Sequence, residues 1–172
     1  GWKDPRNGPA LSFWLSIWPE MKIIRVVRHG VDVAASLKNR SSRHWAHASS
    51  RFEKWLPQYR WRSSKSPIRR GQRAATLSNA FEFWAEQMSV ERAALEGRDG
   101  ILEIRYEELL TEPEASLGNI LEYISAPEDP NLLSILTESM DPSRAFAYKE
   151  DQDLRAFAER NSETLGKFGY GP

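Results

Sequence analysis

The stretch Lys22-Ile23-Ile24-Arg25-Val26-Val27-Arg28, then His29-Gly30, then Val31 to Arg40, constrains the fold most. β-Branched side chains lose rotamer freedom in a helix and pack well on a pleated surface. A short apolar run closed by a turn therefore reads as a buried strand, and as a parallel one. Beyond His29-Gly30, the residues Val33, Ala34 and Leu37 fall on one side of a helical wheel, which predicts a helix over 31–40. Strand, two-residue turn and helix form half of an α/β unit. The expected fold class is therefore α/β, with a short parallel sheet flanked by many helices.

The rest of the chain fits that class. Leu11, Trp14, Leu15 and Trp18 repeat at helical spacing until Pro19, which disfavours helix in the residue before it. From Thr76 to about Glu96 a stripe of Leu77, Ala80, Phe81, Trp84, Met88 and Leu95 predicts a long helix stopped by Gly97. Ile101 to Tyr106 reads as a second strand, and Glu107 to Leu110 as a turn or short helix. Pro113 opens a helix to about Ile124, where its missing N–H costs nothing. Helices near 129–139 and 151–166 follow. Trp14, Trp18 and Trp84 read as core. Residues 41–75 differ: Arg, Ser, Trp and His dominate and periodicity is poor. We expect a short helix around 50–56, a loop around 57–74, and one domain over 1–172 carrying 41–75 as a basic variable insertion.

Composition narrows the function. The 172 residues include no Cys, which excludes a disulfide scaffold, a thiolate metal site and a cysteine nucleophile. No apolar run approaches the roughly 18 residues of a membrane span. The start lacks a signal-peptide pattern, which with the missing Cys points to the cytoplasm. Formal net charge is zero, yet residues 1–75 hold 16 basic and 4 acidic side chains, and 76–172 hold 8 and 20. A neutral total thus hides a basic half suited to an anionic ligand.

Arg28 ends the first strand, the edge at which open α/β sheets bind ligands. Asp32, Ser36 and Arg40 are spaced four apart and share one helix face. Two guanidinium groups and a hydroxyl suit a phosphate, which Arg binds bidentately. The same residues also suit an ordinary solvated helix face.

Further segments break the tie. Lys3-Asp4-Pro5-Arg6, Phe13 to Pro19, the strand Ile23 to Arg28 and Ser36 form an ordered set. Trp84, Ile104-Arg105-Tyr106-Glu107-Glu108-Leu109-Leu110, Pro113 and Leu165-Gly166-Lys167-Phe168-Gly169-Tyr170 complete it. The set resembles the PAPS-dependent sulfotransferases (PAPS is 3′-phosphoadenosine 5′-phosphosulfate), nearest to the branch with protein-tyrosine and many bacterial enzymes. The resemblance implies a P-loop-type three-layer fold and sulfuryl transfer to a hydroxyl or amine on a small-molecule, carbohydrate or peptide acceptor. It implies that Arg28 and Ser36 bind the 3′-phosphate of PAPS or of its product PAP, with Arg40 in support. It implies that Tyr106 contacts the nucleotide and that Lys3 stabilises the leaving phosphate oxygen. Arg144 and Lys149 fall where the family has a basic loop over the nucleotide. No metal ligand is implied.

The family's Gly/Thr-rich loop for the 5′-phosphosulfate would precede Lys3 and does not occur in these residues. The chain is therefore expected to be the C-terminal portion of a sulfotransferase, with little activity alone. No general base stands out; His29, His44 and His47 qualify by type only, and a histidine among basic residues is more often solvated. Acceptor choice is expected in 41–75. Two other readings compete. A non-catalytic nucleic-acid or polyanion binder would use the Arg/Trp segment 38–73, and ranks below the sulfotransferase. A metal-dependent phosphotransferase is the third.

Overall fold

The computed structural model describes residues 1, 3, 7, 8, 10–48 and 74–171, with the backbone alone for 42–48. The elements are α1 (Leu11–Ile17), β1 (Ile23–Val27), α2 (Gly30–Ala48), α3 (Leu77–Leu95), β2 (Ile101–Arg105) and α4 (Tyr106–Thr111). Then come α5 (Pro113–Ile124), α6 (Pro130–Glu138), α7 (Gln152–Arg160) and α8 (Ser162–Lys167). Tight 3-10 turns occupy Pro142–Arg144 and Ala147–Glu150. The architecture is the expected mixed α/β one. Among the described residues the sheet is a parallel pair, in register from Ile23 opposite Ile101 to Val27 opposite Arg105.

The described residues group into two compact units. The first comprises Gly1–His29 and Gln87–Asp151 and holds the sheet. Its apolar cluster is Leu11 and Leu15 of α1 with Leu95 of α3, packed by Met21, Ile23, Ala94 and Ile101. Tyr123 pins the start of both strands: its hydroxyl donates to the Gly100 carbonyl at 2.5 Å and accepts the Ile23 N–H at 2.8 Å. Arg25 ties β1 to its neighbours, with Nε on Glu91 at 3.2 Å and Nη1 on Glu103, its register partner.

β1 departs from expectation. Its burial alternates, and Ile24 and Val26 are 39% and 54% exposed. Parallel strands usually read as apolar throughout because helices cover both faces. Here the face of Ile23 is packed, and the face bearing Ile24 and Val26 meets solvent.

The second unit comprises Gly30–Glu86 and Gln152–Pro172. Its buried residues include Val31 and Ala34 of α2, Ala80, Phe81 and Trp84 of α3, and Phe157, Leu165 and Tyr170. Phe81 meets Phe157 edge-on at 5.5 Å, and Trp84 meets Phe168 at 5.1 Å. Gly30 starts α2 because nothing larger fits: a Cβ there would lie 2.5 Å from the Trp84 ring. α8 ends in a Schellman motif. Gly169 sits at φ +79°, its N–H reaches the Gly166 carbonyl, and the Tyr170 N–H reaches that of Leu165.

Three other expectations change. α2 runs past Arg40 to Ala48, since no Gly or Pro interrupts 31–48. The helix expected over 151–166 is two helices, broken where the Asn161 side chain donates to the Phe157 carbonyl at 2.8 Å. Trp84 is core, but Trp18 is 49% exposed beyond the last turn of α1, stacked on Trp14 at 5.7 Å. Leu11 and Leu15 carry the buried face of that helix instead. The helix expected around 50–56 and all of the loop expected around 57–74 except Ala74 lie outside the described residues. No described helix is long and apolar enough to cross a membrane.

Candidate functional site

The site is built one residue at a time beyond the last register pair, Val27 and Arg105. The next residues are Arg28 and Tyr106. The Arg28 guanidinium carbon lies 4.5 Å from the centroid of the Tyr106 ring, a cation–π contact that holds the planar group in place. Arg28 Nη2 also donates to the Arg144 carbonyl at 3.3 Å.

One residue further are His29 and Glu107, exposed by only 3% and 2%. The His29 N–H donates to Glu107 Oε1 at 2.8 Å. The His29 ring stacks on Tyr148, with centroids 4.2 Å apart and planes 9° from parallel. Phe146 meets the same ring edge-on at 5.9 Å. Burial, then Lys149 and then Arg28 push the imidazole pKa down to about 4. His29 is therefore neutral at neutral pH, so nearby cations gain no extra like charge from it.

The segment 141–150 supplies the rest. Asp141 accepts the Ser143 N–H at 3.0 Å and its hydroxyl at 2.6 Å, capping the turn that carries Arg144. The Ser143 hydroxyl bond, first, holds the Asp141 carboxyl below the usual carboxylate range. Phe146 adopts φ +53°, a left-handed conformation that costs a bulky residue energy. Lys149 Nζ lies 4.6 Å from the Phe146 ring centroid.

Four of the residues selected from sequence are thus brought together in the first unit: Arg28, Tyr106, Arg144 and Lys149. Lys3, in the same unit, is exposed, and Asp4, Pro5 and Arg6 lie outside the described residues. Ser36 and Arg40 are exposed on α2, in the second unit, whereas Asp32 of the same face is buried. His29 is buried rather than solvated. Residues 49–73 of the proposed polyanion segment, and the side chains of His44 and His47, lie outside the described residues.

Sequence reasoning passed over Glu107, Phe146 and Tyr148. The alternation Phe146-Ala147-Tyr148 beside Lys149 was a usable signal for the two aromatics. Nothing local separates Glu107 from Glu108, which is exposed and 3.8 Å from Arg105.

The description of the sulfotransferase family matches residues 2–130. The chain belongs to the sulfotransferase family. Arg28, Ser36, Arg40, Tyr106 and Glu107 fall inside the matched residues, and Arg144 and Lys149 beyond them. A solved structure, the sulfotransferase domain from the curacin biosynthetic pathway, is similar with a TM-score of 0.54 at 17% identity. The likeness covers 93% of this chain and 61% of that one, and at such identity it concerns the fold alone. The chain therefore spans under two thirds of the length of this neighbour. The curated proteins offer no match.

Proposed function

We propose that this sulfotransferase-family chain supplies the nucleotide 3′-phosphate site of an enzyme that transfers a sulfuryl group from PAPS to a hydroxyl or amine acceptor. The observation that carries the reading is Arg28, one residue past β1, in cation–π contact with Tyr106, the first residue of α4. A guanidinium already held on a ring loses little freedom when it binds a phosphate, and its fork matches two phosphate oxygens. Lys149 and Arg28 are the cations beside a neutral imidazole, and Arg144 meets Arg28 through its backbone carbonyl. These groups fit a phosphorylated nucleotide.

When bound, PAPS supplies an activated sulfuryl group on a phosphate leaving group. The family resemblance gives Ser36 and Arg40 a phosphate-binding role, and Lys3 a role at the leaving oxygen. Such transfer depends on positioning and electrostatic stabilisation more than on covalent help from the protein. The segment 41–75 is assigned to acceptor choice, as an insertion in a single domain, with a small-molecule, carbohydrate or peptide acceptor.

A calorimetric titration with adenosine 3′,5′-bisphosphate tests the reading. We expect saturable binding, weakened at least about tenfold by Arg28→Ala, the worth of a hydrogen bond to a charged group. Affinity that survives Arg28→Ala and falls steeply with salt would instead fit a polyanion binder using 38–73.

A further inference from the structure

The parallel register does not stop where the backbone ladder stops. Strand partners differ by a constant offset, Ile23 with Ile101 through Val27 with Arg105. The next two steps of that offset are Arg28 with Tyr106 and His29 with Glu107. The first is the cation–π contact. The second is a hydrogen bond in which the Glu107 carboxylate takes the place of the next strand carbonyl, at 2.8 Å from the His29 nitrogen. α4 starts at Tyr106, so its backbone carbonyls have turned away into helix, and the side chain extends the ladder instead.

A carboxylate exposed by only 2% is costly to bury unless something needs it there. What it holds is the amide that follows Arg28. The ring of the same histidine is held from the other side by Tyr148, on the segment that carries Arg144 and Lys149. The left-handed backbone of Phe146 turns the chain so that Phe146 and Tyr148 both address that ring. Such conformations persist where the surroundings over-determine them.

We propose that Glu107, His29 and Tyr148 are positioning residues: Glu107 grips the His29 backbone, Tyr148 grips its ring, and together they fix Arg28 and the Arg144–Lys149 segment as one anion-binding unit. The inference rests on the donor-site reading above. The residues act through Arg28 and Lys149 and are not assigned a contact with the nucleotide.

The test uses the full chain and two conservative pairs. Glu107→Gln keeps an acceptor oxygen for the His29 amide, and Glu107→Leu removes it. Tyr148→Phe keeps the stacked ring, and Tyr148→Leu removes it. We expect both Leu variants to weaken adenosine 3′,5′-bisphosphate about tenfold, comparable to losing a hydrogen bond to a charged group, with Gln and Phe near wild type. A second readout needs no ligand: amide hydrogen exchange at His29 should be slow in wild type and Glu107→Gln and fast in Glu107→Leu. If wild type does not bind the bisphosphate, the donor-site reading falls and this inference with it. If wild type binds and Arg28→Ala abolishes binding, but the Leu variants bind as tightly as wild type, the inference alone is overturned. Fast exchange at His29 in wild type would also overturn it, even should a Leu variant fail to fold.

Discussion

At the scale of single residues, His29 gives the site its pH signature. Its imidazole stays neutral in the folded chain down to about pH 4, against an ordinary value of 6.5, because it is buried and flanked by Lys149 and Arg28. The unfolded chain binds a proton at His29 below 6.5, and the folded chain refuses it until about 4. Stability therefore falls as pH drops through that window, and above it His29 adds no pH dependence. We expect the melting temperature of wild type to fall more steeply with acidification than that of His29→Phe, which keeps a ring on Tyr148. Parallel curves for the two proteins would contradict the assignment. Arg28 was legible in the sequence because a charged residue closing an apolar run stands at a strand end. Glu107 was not, because its partner is a backbone amide and its distinction from Glu108 is depth alone.

Elements show the same division. Strand, turn and helix at 22–40 could be read from side-chain branching and periodicity, and so could the helix stop at Gly97, which adopts φ +69°. Breaks made by a side chain could not: Asn161 splits α7 from α8 by capturing the Phe157 carbonyl, with neither Gly nor Pro at the break. α2 continues past Arg40 because polar composition alone does not end a helix and 31–48 holds neither Gly nor Pro. A tight joint lies at the start of α2. A methyl group on Gly30 would fall 2.5 Å from the Trp84 ring and 2.8 Å from the Phe81 ring, and neither large buried ring can step aside cheaply. Gly30→Ala is expected to destabilise the chain by about 1–3 kcal/mol, the usual range for overpacking, measured by urea unfolding. An unchanged midpoint would show that the rings have room.

For the whole molecule, the charge split along the sequence is not the split between the compact units. Residues 1–75 are strongly basic, yet the first unit, which holds Arg28, carries 10 basic and 17 acidic side chains. The second carries 14 and 7. Under the proposed function, the attraction for an anion would rest on local cations such as Arg28 and Lys149 within an acidic unit. This sharpens the value of single substitutions there.

The bare face of β1 has a separate consequence. Ile24 and Val26 point outward from a strand whose molecule carries no net charge at neutral pH. With zero net charge, no long-range repulsion opposes contact between copies at that face. Val26→Lys should lower both dye fluorescence from an apolar probe and the sedimentation-derived mass at high concentration. Equal values for the two proteins would mean that the face is inert. Raising the pH above neutrality gives the copies like charge, so any association through that face is expected to weaken in alkaline buffer of low ionic strength.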